Sequence, residues 1–134
     1  MLRVAEENAA HLVCPVENPG TVRIAITKAE TKASYDIQLN QPQLRVKANC
    51  RYVVAFLARA DKPRSFFIGC AKAYEPWTNL GLYSQIELNP EWQSFEENFV
   101  VLEDDDNARI HFDIGGSDIS VELSSVSLSS LSDR

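Results

Sequence analysis

The sequence has no apolar run long enough to cross a membrane as a helix. Its longest run, Tyr52–Ala58, falls far short of the ~20 residues that such a helix needs. The first residues, Met1–Asn8, carry acidic side chains and lack the apolar core of a secretory signal peptide. We therefore expect a soluble domain that is either made in the cytoplasm or a piece of an exported protein. An extracellular or periplasmic location would follow only from an exported parent.

Basic residues are also scarce. The 134 residues include 13 lysines and arginines against 19 aspartates and glutamates, which gives a formal net charge of −6 and a pI of about 4.9. Because this charge repels phosphate groups, the composition argues against nucleic acid and anionic membrane surfaces as partners. The favoured partners are neutral or cationic.

Only three cysteines are present, so they cannot all pair with one another. No two of them form a Cys-x-x-Cys pair, and a thiolate metal site is therefore not expected. Cys70 alternates with Phe66 and Ile68, which indicates a small core residue. The disulfide state of Cys14, Cys50 and Cys70 stays open.

The usual linear signatures of catalysis are missing. There is no Gly-x-Ser-x-Gly, no His-Glu-x-x-His and no phosphate-binding loop with Gly-Lys-Ser/Thr. The histidines, His11 and His111, are too isolated to define a metal site. Adjacent carboxylates at Glu96–Glu97 and Asp104–Asp106 are more typical of solvated faces than of a glycosidase pair. We therefore expect neither catalytic nor metal-binding residues, and no enzyme activity.

What the chain does contain is apolar alternation with a period of two, the pattern of half-buried β-strands. It is clearest in three segments: Val22–Ile26, Leu82–Leu88 and Ala108–Ile114. Tyr52–Ala60 is apolar on both faces until Arg59, which indicates a central strand. Many short strands with polar turns between them indicate an all-β fold, and we predict a jelly-roll β-sandwich of two antiparallel sheets. A single domain is expected over residues 1–128, followed by a tail or linker at residues 129–134.

The alternation also predicts the core and the turns. Six side chains are expected to be buried: Phe56, Ile86, Trp92, Phe95, Ile110 and Phe112. The turn residues of Asp61–Arg64 and Gly115–Asp118 predict two hairpins, because proline and glycine favour tight turns. In the last strand the apolar parity slips between Leu123 and Val126, which indicates a β-bulge.

Strand positions that alternate with core residues carry polar and aromatic side chains. If one sheet presents them together, they offer rings for the C–H face of a sugar and polar groups for its hydroxyls. The loop that contains Tyr74 and Trp77 would overhang that sheet. The predicted ligand-binding residues are Trp77, Tyr83, Arg59, Gln38, Gln85, His111 and Tyr74. Two alternatives stay open: a polar exterior without a ligand, and a Trp77 ring that plugs the end of the sandwich.

Three segments together resemble the carbohydrate-binding modules of families four and nine. They are the strand Tyr52–Ala60, which reads Tyr-x-x-x-Phe-x-Ala-Arg-Ala, the Trp-Gln-x-Phe entry at Trp92–Phe95, and the closing segment Val121–Leu128. The resemblance covers the chain from about Tyr35 to Leu128. It implies a galactose-binding-domain-like jelly roll that binds glucans, xylans or other polysaccharides in a concave groove and has no catalytic activity.

The resemblance also implies two partners: a polysaccharide or oligosaccharide, and an adjacent catalytic domain in a larger parent protein. The family commonly has two adjacent aspartates in the closing segment, one of which helps to bind a structural calcium. This chain has Ser124 and Ser125 there, so a hard anionic ligand is lost. No cofactor is therefore expected, although a structural calcium is left open. The alternative function is a protein-interaction or structural sandwich that has lost the sugar site.

Overall fold

The computed structural model describes residues 2–4, 10–13, 20–26 and 37–131. Ten β-strands lie in these ranges: β1 Leu2–Val4, β2 Ala10–Val13, β3 Thr21–Ile26, β4 Ile37–Val46, β5 Arg51–Ala60, β6 Arg64–Lys72, β7 Asn79–Leu88, β8 Gln93–Val100, β9 Asp105–Asp113 and β10 Val121–Ser130. Within the same ranges, no helix is long and apolar enough to span a membrane. Cys14, Tyr35 and residues 132–134 of the expected tail lie outside the described residues.

The strands form two five-stranded sheets. The first sheet has the order β1-β4-β9-β6-β7 and the second has the order β2-β3-β10-β5-β8, with every neighbouring pair antiparallel. Apolar side chains from both sheets form one core cluster, as expected when two amphipathic sheets pack face to face. The prediction of an all-β jelly-roll sandwich is confirmed.

Aromatic rings join the two sheets at the centre of the core. The ring centroid of Phe56 lies 5.4 Å from those of Phe95 and Phe112 and 6.1 Å from that of Phe66. Phe56 and Phe95 belong to the second sheet, whereas Phe66 and Phe112 belong to the first. The ring cluster therefore bridges the sandwich, and its burial contributes to the hydrophobic stabilisation of the fold.

The core agrees with the sequence-based prediction except at one tryptophan. Four of the predicted core residues are at most 6% exposed: Phe56, Ile86, Ile110 and Phe112. Phe95 is partly buried and packs against the core. The prediction for Trp92 is wrong, because its side chain is 39% exposed. Trp92 precedes the first residue of β8, so strand alternation does not set the direction of its ring.

Both predicted hairpins are wrong. The turn at Asp61–Arg64 leads from β5 in the second sheet to β6 in the first, so it carries the chain across the sandwich. The segment that contains Gly115–Asp118 crosses back from β9 to β10. Turn residues favour a reversal of direction, but they do not determine which strand the chain pairs with afterwards.

Two strands contain irregularities, and the sequence predicts the one in β10. The register between β10 and β5 shifts between Ser124 and Ser127, which confirms the predicted bulge. The register between β4 and β9 shifts after Gln41, where Pro42 lacks a donor and Gln43 has a φ of 64°. Strand β10 continues to Ser130, two residues past the expected domain limit at residue 128.

Candidate functional site

The outer face of the first sheet collects most of the polar side chains that alternate with core residues. One row across the sheet contains Gln38, Asp113, Phe67 and Gln85, and the next contains Asn40, His111, Gly69 and Tyr83. Arg109 and Ala71 pair in the row after that. We call these ten residues the site face. They share one side of the sheet because successive side chains of a strand point to opposite faces.

Five of these side chains form a hydrogen-bond network at the floor of the site face. Asp113 Oδ1 accepts a hydrogen bond from Gln38 Nε2 at 2.8 Å and lies 2.8 Å from His111 Nδ1. Arg109 Nη1 donates to Gln38 Oε1 at 3.2 Å and to Asn40 Oδ1 at 2.7 Å. All five side chains belong to residues that are at most 8% exposed. Because buried polar and charged groups are costly unless hydrogen-bonded, the network favours a single arrangement of the floor.

Two stacked rings stand beside this network. The ring centroids of Phe67 and Tyr83 are 5.2 Å apart and their planes differ by 8°. Tyr83 is 53% exposed, and its hydroxyl donates a long hydrogen bond of 3.4 Å to Asp113 Oδ2. The Tyr83 ring also lies 6.2 Å from the His111 ring. We call this Phe67–Tyr83 pair the aromatic wall.

A glycine allows the His111 ring of the network to pack closely against β6, next to the aromatic wall. A Cβ atom at Gly69 would lie 2.4 Å from His111 Nε2 and 3.1 Å from Tyr83 Cδ1, so a side chain here would collide with the imidazole ring. Ala71 follows two residues later on β6, and the two positions form a strip of minimal side chains. A single glycine within an apolar strand was the sequence signal for this close approach.

The loop between β6 and β7 brings Trp77 over the site face. Its indole ring lies 5.5 Å from the guanidinium carbon of Arg109, and the residue is 44% exposed. Trp77 N donates to Tyr74 O at 2.8 Å, and Lys72 N donates to Thr78 O at 2.9 Å, which closes the loop on itself. Trp77 has a φ of 62°, a backbone conformation that is uncommon for a bulky residue.

Tyr74 lies in the same loop but contributes to a different surface. Its hydroxyl donates to Asp105 Oδ2 at 2.5 Å, and this hydrogen bond raises the pKa of Tyr74. The ring lines a groove of about 450 Å³ at the end of the first sheet, with Arg45, Val46, Lys47 and Asp104–Asp106. Tyr74 therefore anchors the Trp77 loop to β9, at a distance from the Asp113 network.

Arg59 belongs to the second sheet, so the expectation that it shares a surface with the other predicted residues is wrong. It lies on β5. Its Nη1 forms an ion pair with Glu122 at 3.1 Å, and its Nε donates to Pro90 O at 3.0 Å. Its guanidinium carbon lies 5.9 Å from the centroid of the Trp92 ring. Alternation identified an outward side chain correctly, but it could not indicate which of two outer faces that side chain occupies.

The structure therefore brings together five of the seven predicted ligand-binding residues: Gln38, Trp77, Tyr83, Gln85 and His111. Of these, Gln85 lies on the edge strand β7 and donates to Glu87 Oε1 at 3.1 Å. The predicted ligand-binding set left out six residues of the site face: Asn40, Phe67, Gly69, Ala71, Arg109 and Asp113. Outward polar residues on strands are usually solvated, so the sequence alone does not show that these residues form one cluster. The register between the strands of the first sheet shows it.

The serines of the closing segment hydrogen-bond with nearby oxygen atoms. Ser124 Oγ accepts from Thr21 Oγ1 at 3.2 Å and donates to Gly20 O at 3.4 Å. It also lies 3.4 Å from Ser125 Oγ. Among the residues that the structure describes, no group of three or more His, Cys, Asp or Glu side chains is arranged to hold a metal ion.

Comparison with protein families gives one match of nearly full length. The model of a family described as a carbohydrate binding domain, covering modules of families 4 and 9, matches residues 4–120. The match includes β4–β9 and therefore all the strands that carry the site face. A comparison with curated proteins found no match.

Similar solved structures have the same fold. A CBM4 structure aligns with a TM-score of 0.80 and 23% identity, covering 96% of this chain and 84% of that one. The N-terminal cellulose-binding domain of Cellulomonas fimi β-1,4-glucanase C aligns with a TM-score of 0.72 and 14% identity, covering 95% and 86%. The second N-terminal cellulose-binding domain of the same enzyme gives 0.70 and 18%, covering 96% and 90%.

Proposed function

This chain belongs to the carbohydrate-binding domain family of modules 4 and 9, and we propose that its site face, together with Trp77, binds a polysaccharide or oligosaccharide. The observation that carries the proposal is an aromatic wall that stands beside a hydrogen-bond network on one face of the sheet. A sugar ring has an apolar C–H face and a rim of hydroxyl groups. The wall and the network match these two parts of the ring.

The roles within this surface follow from side-chain chemistry. Tyr83 and Trp77 are the exposed rings, and they would stack on the C–H faces of successive sugars. Gln38 and Asn40 carry amides, each of which has both donor and acceptor groups for hydroxyls. The network already orients these amides, so binding requires little further ordering of side chains.

We also propose that the domain acts without catalysis and tethers a catalytic domain of a larger protein to its polysaccharide. Membership of a carbohydrate-binding family supports the binding part of this proposal. The affinity of one module is expected to be weak, because hydroxyl groups are already well solvated before they bind. A tether converts weak binding into a high local concentration of the attached enzyme.

The proposal is tested by comparing two exposed loop tryptophans that lie beside different sheets. Trp77 is 44% exposed beside the site face, and Trp92 is 39% exposed beside Arg59 of the second sheet. Native electrophoresis through gels containing xylan or a mixed-linkage β-glucan measures retardation of the wild type and of each variant. We expect Trp77→Ala to lower the affinity that the retardation reports by about tenfold, and Trp92→Ala to leave that affinity unchanged.

Circular dichroism must show that both variants are folded. If neither polysaccharide retards the wild type, or if Trp92→Ala weakens retardation as much as Trp77→Ala, the assignment of the site face is wrong. If Trp77→Ala unfolds the domain while binding per folded molecule is unchanged, the ring is a structural plug.

A further inference from the structure

Each hydrogen bond in the five-residue network at the floor of the site face, here called the floor network, can be assigned a donor and an acceptor. The assignment starts from Arg109, which can only donate hydrogen bonds. The guanidinium group of Arg109 has no acceptor, so the atom of Gln38 that it contacts must be the amide oxygen. The other end of that amide, Nε2, is then the group that donates to Asp113 Oδ1 at 2.8 Å. This assignment settles the orientation of the Gln38 amide from the network rather than from the positions of its nitrogen and oxygen alone.

The same reasoning assigns the donor and the acceptor in the contact between Asp113 and His111. An ionised carboxylate only accepts hydrogen bonds, so Asp113 Oδ1 requires a donor at His111 Nδ1, 2.8 Å away. The neutral imidazole therefore carries its proton on Nδ1. Its Nε2 atom is left with a lone pair and acts as an acceptor.

This acceptor faces the strip of minimal side chains. His111 Nε2 lies 2.4 Å from the position that a Cβ of Gly69 would occupy, so it fills the space above the glycine. The hydrogen bond of the His111 ring to Asp113 uses Nδ1, on the other side of the ring from Gly69. The middle of the site face thus presents an acceptor to a ligand that lies along the strip.

The surroundings of the ring come from four strands. Charged groups on the same face are Asp113 and Arg109 of β9 itself. Strand β4 contributes the neutral amide of Asn40, β6 contributes Gly69, and β7 contributes the phenol of Tyr83. Among these groups, the Asp113 carboxylate is the one that His111 Nδ1 contacts.

We propose that His111 makes the site face selective for sugars with an unsubstituted hydroxyl facing His111 Nε2, so that O-acylated or O-methylated sugars are rejected at this position. The inference rests on the proposed function. A free hydroxyl donates to the Nε2 lone pair, whereas an ester or ether oxygen has no hydrogen to donate and leaves the acceptor buried and unsatisfied. We expect on the order of tenfold weaker binding of the substituted sugar.

The first experiment measures the position of the proton without any glycan. Nitrogen-15 NMR of the folded wild-type domain near pH 8 reports which imidazole nitrogen is protonated. The chain contains two histidines, and His111→Phe, which keeps an aromatic ring, assigns the signals of His111 by their loss. A proton on Nδ1 is the expected result. A proton on Nε2 would overturn the inference whether or not the domain binds sugar.

The second experiment measures selectivity. Xylan and mixed-linkage β-glucan, each with a chemically O-acetylated derivative, are compared by affinity electrophoresis. We expect the acetylated forms to bind on the order of tenfold more weakly. Trp77→Ala should weaken both forms and keep the ratio, because stacking does not require the hydroxyl hydrogen. His111→Phe should remove the ratio.

The outcomes separate the two proposals. If neither underivatised polysaccharide binds the wild type, the proposed function fails and this inference fails with it. If they bind, but the acetylated forms bind equally well or His111→Phe keeps the ratio, the selectivity assigned to His111 is wrong and the binding function stands.

Discussion

Replacing Gly69 with alanine is the most direct test of how the site face is built. The closest contact of the added Cβ would be His111 Nε2 at 2.4 Å, followed by His111 Cε1 at 2.7 Å and Tyr83 Cδ1 at 3.1 Å. Gly69 does not have a positive φ in the left-handed region, so alanine adopts this backbone without strain. The whole cost of the substitution should therefore come from the collision with the imidazole ring.

The size of the cost follows from the distances. Ordinary carbon–nitrogen contacts begin near 3.4 Å, so the ring must move by about 1 Å. Such a movement breaks the 2.8 Å contact between His111 and Asp113, which holds the ring in place. Overpacking of this kind costs about 1–3 kcal/mol. We expect a decrease of that size in the free energy of unfolding for Gly69→Ala.

A double-mutant cycle separates this collision from other effects of the substitution. Urea denaturation is measured for the wild type, Gly69→Ala, His111→Ala and the double variant. Once the imidazole is absent, the added methyl group has room, and Tyr83 is exposed enough to adjust. The double variant should therefore be about as stable as His111→Ala alone.

Additive costs would refute this reasoning. If Gly69→Ala destabilises the protein equally in the presence and absence of the imidazole, the glycine is needed for a different reason. If Gly69→Ala costs less than about 0.5 kcal/mol, the His111 ring is not held above Gly69 as the structure shows it.

Two further predictions concern the metal and the buried thiol. We propose that calcium contributes little to stability, because serines replace the expected carboxylates at Ser124 and Ser125; millimolar Ca²⁺ should leave the melting temperature unchanged, and a rise reversed by chelator would contradict this. Burial raises the pKa of Cys70 from 9.0 to about 12. The unfolded thiol ionises first, so the stability associated with Cys70 is present below pH 9 and lost as the pH rises towards 12. Urea unfolding should therefore show wild type losing stability relative to Cys70→Ala over that range; a constant difference would contradict the prediction.

Alternation predicted which side chains enter the core wherever the residue lies within a strand. Phe56, Ile110 and Phe112 are buried as expected, since each lies within a long regular strand. The same reasoning failed for Trp92, one residue before its strand begins, because a loop residue has no fixed parity. The error therefore has a local cause, because alternation predicts the direction of a side chain only for residues that lie within a strand.

The site was predicted less completely than the core, for a reason that lies in the pairing of strands. Arg59 and Tyr83 are both outward residues of regular strands, yet β5 belongs to the second sheet and β7 to the first, so their side chains lie on opposite surfaces of the molecule. Parity distinguishes inside from outside but does not distinguish the two outer faces.

The missing information is the register, and the floor network shows its importance. Gln38 and Asp113 are 75 residues apart in the chain and meet only because β4 pairs with β9 at that position. A shift of one residue in either strand would turn the side chain of that strand into the core. The apolar neighbours Ile37 and Phe112 prevent such a shift, because burying them is favourable only in the observed register. Burial of the core, which the sequence predicts, therefore sets the register that assembles the polar network, which the sequence does not predict.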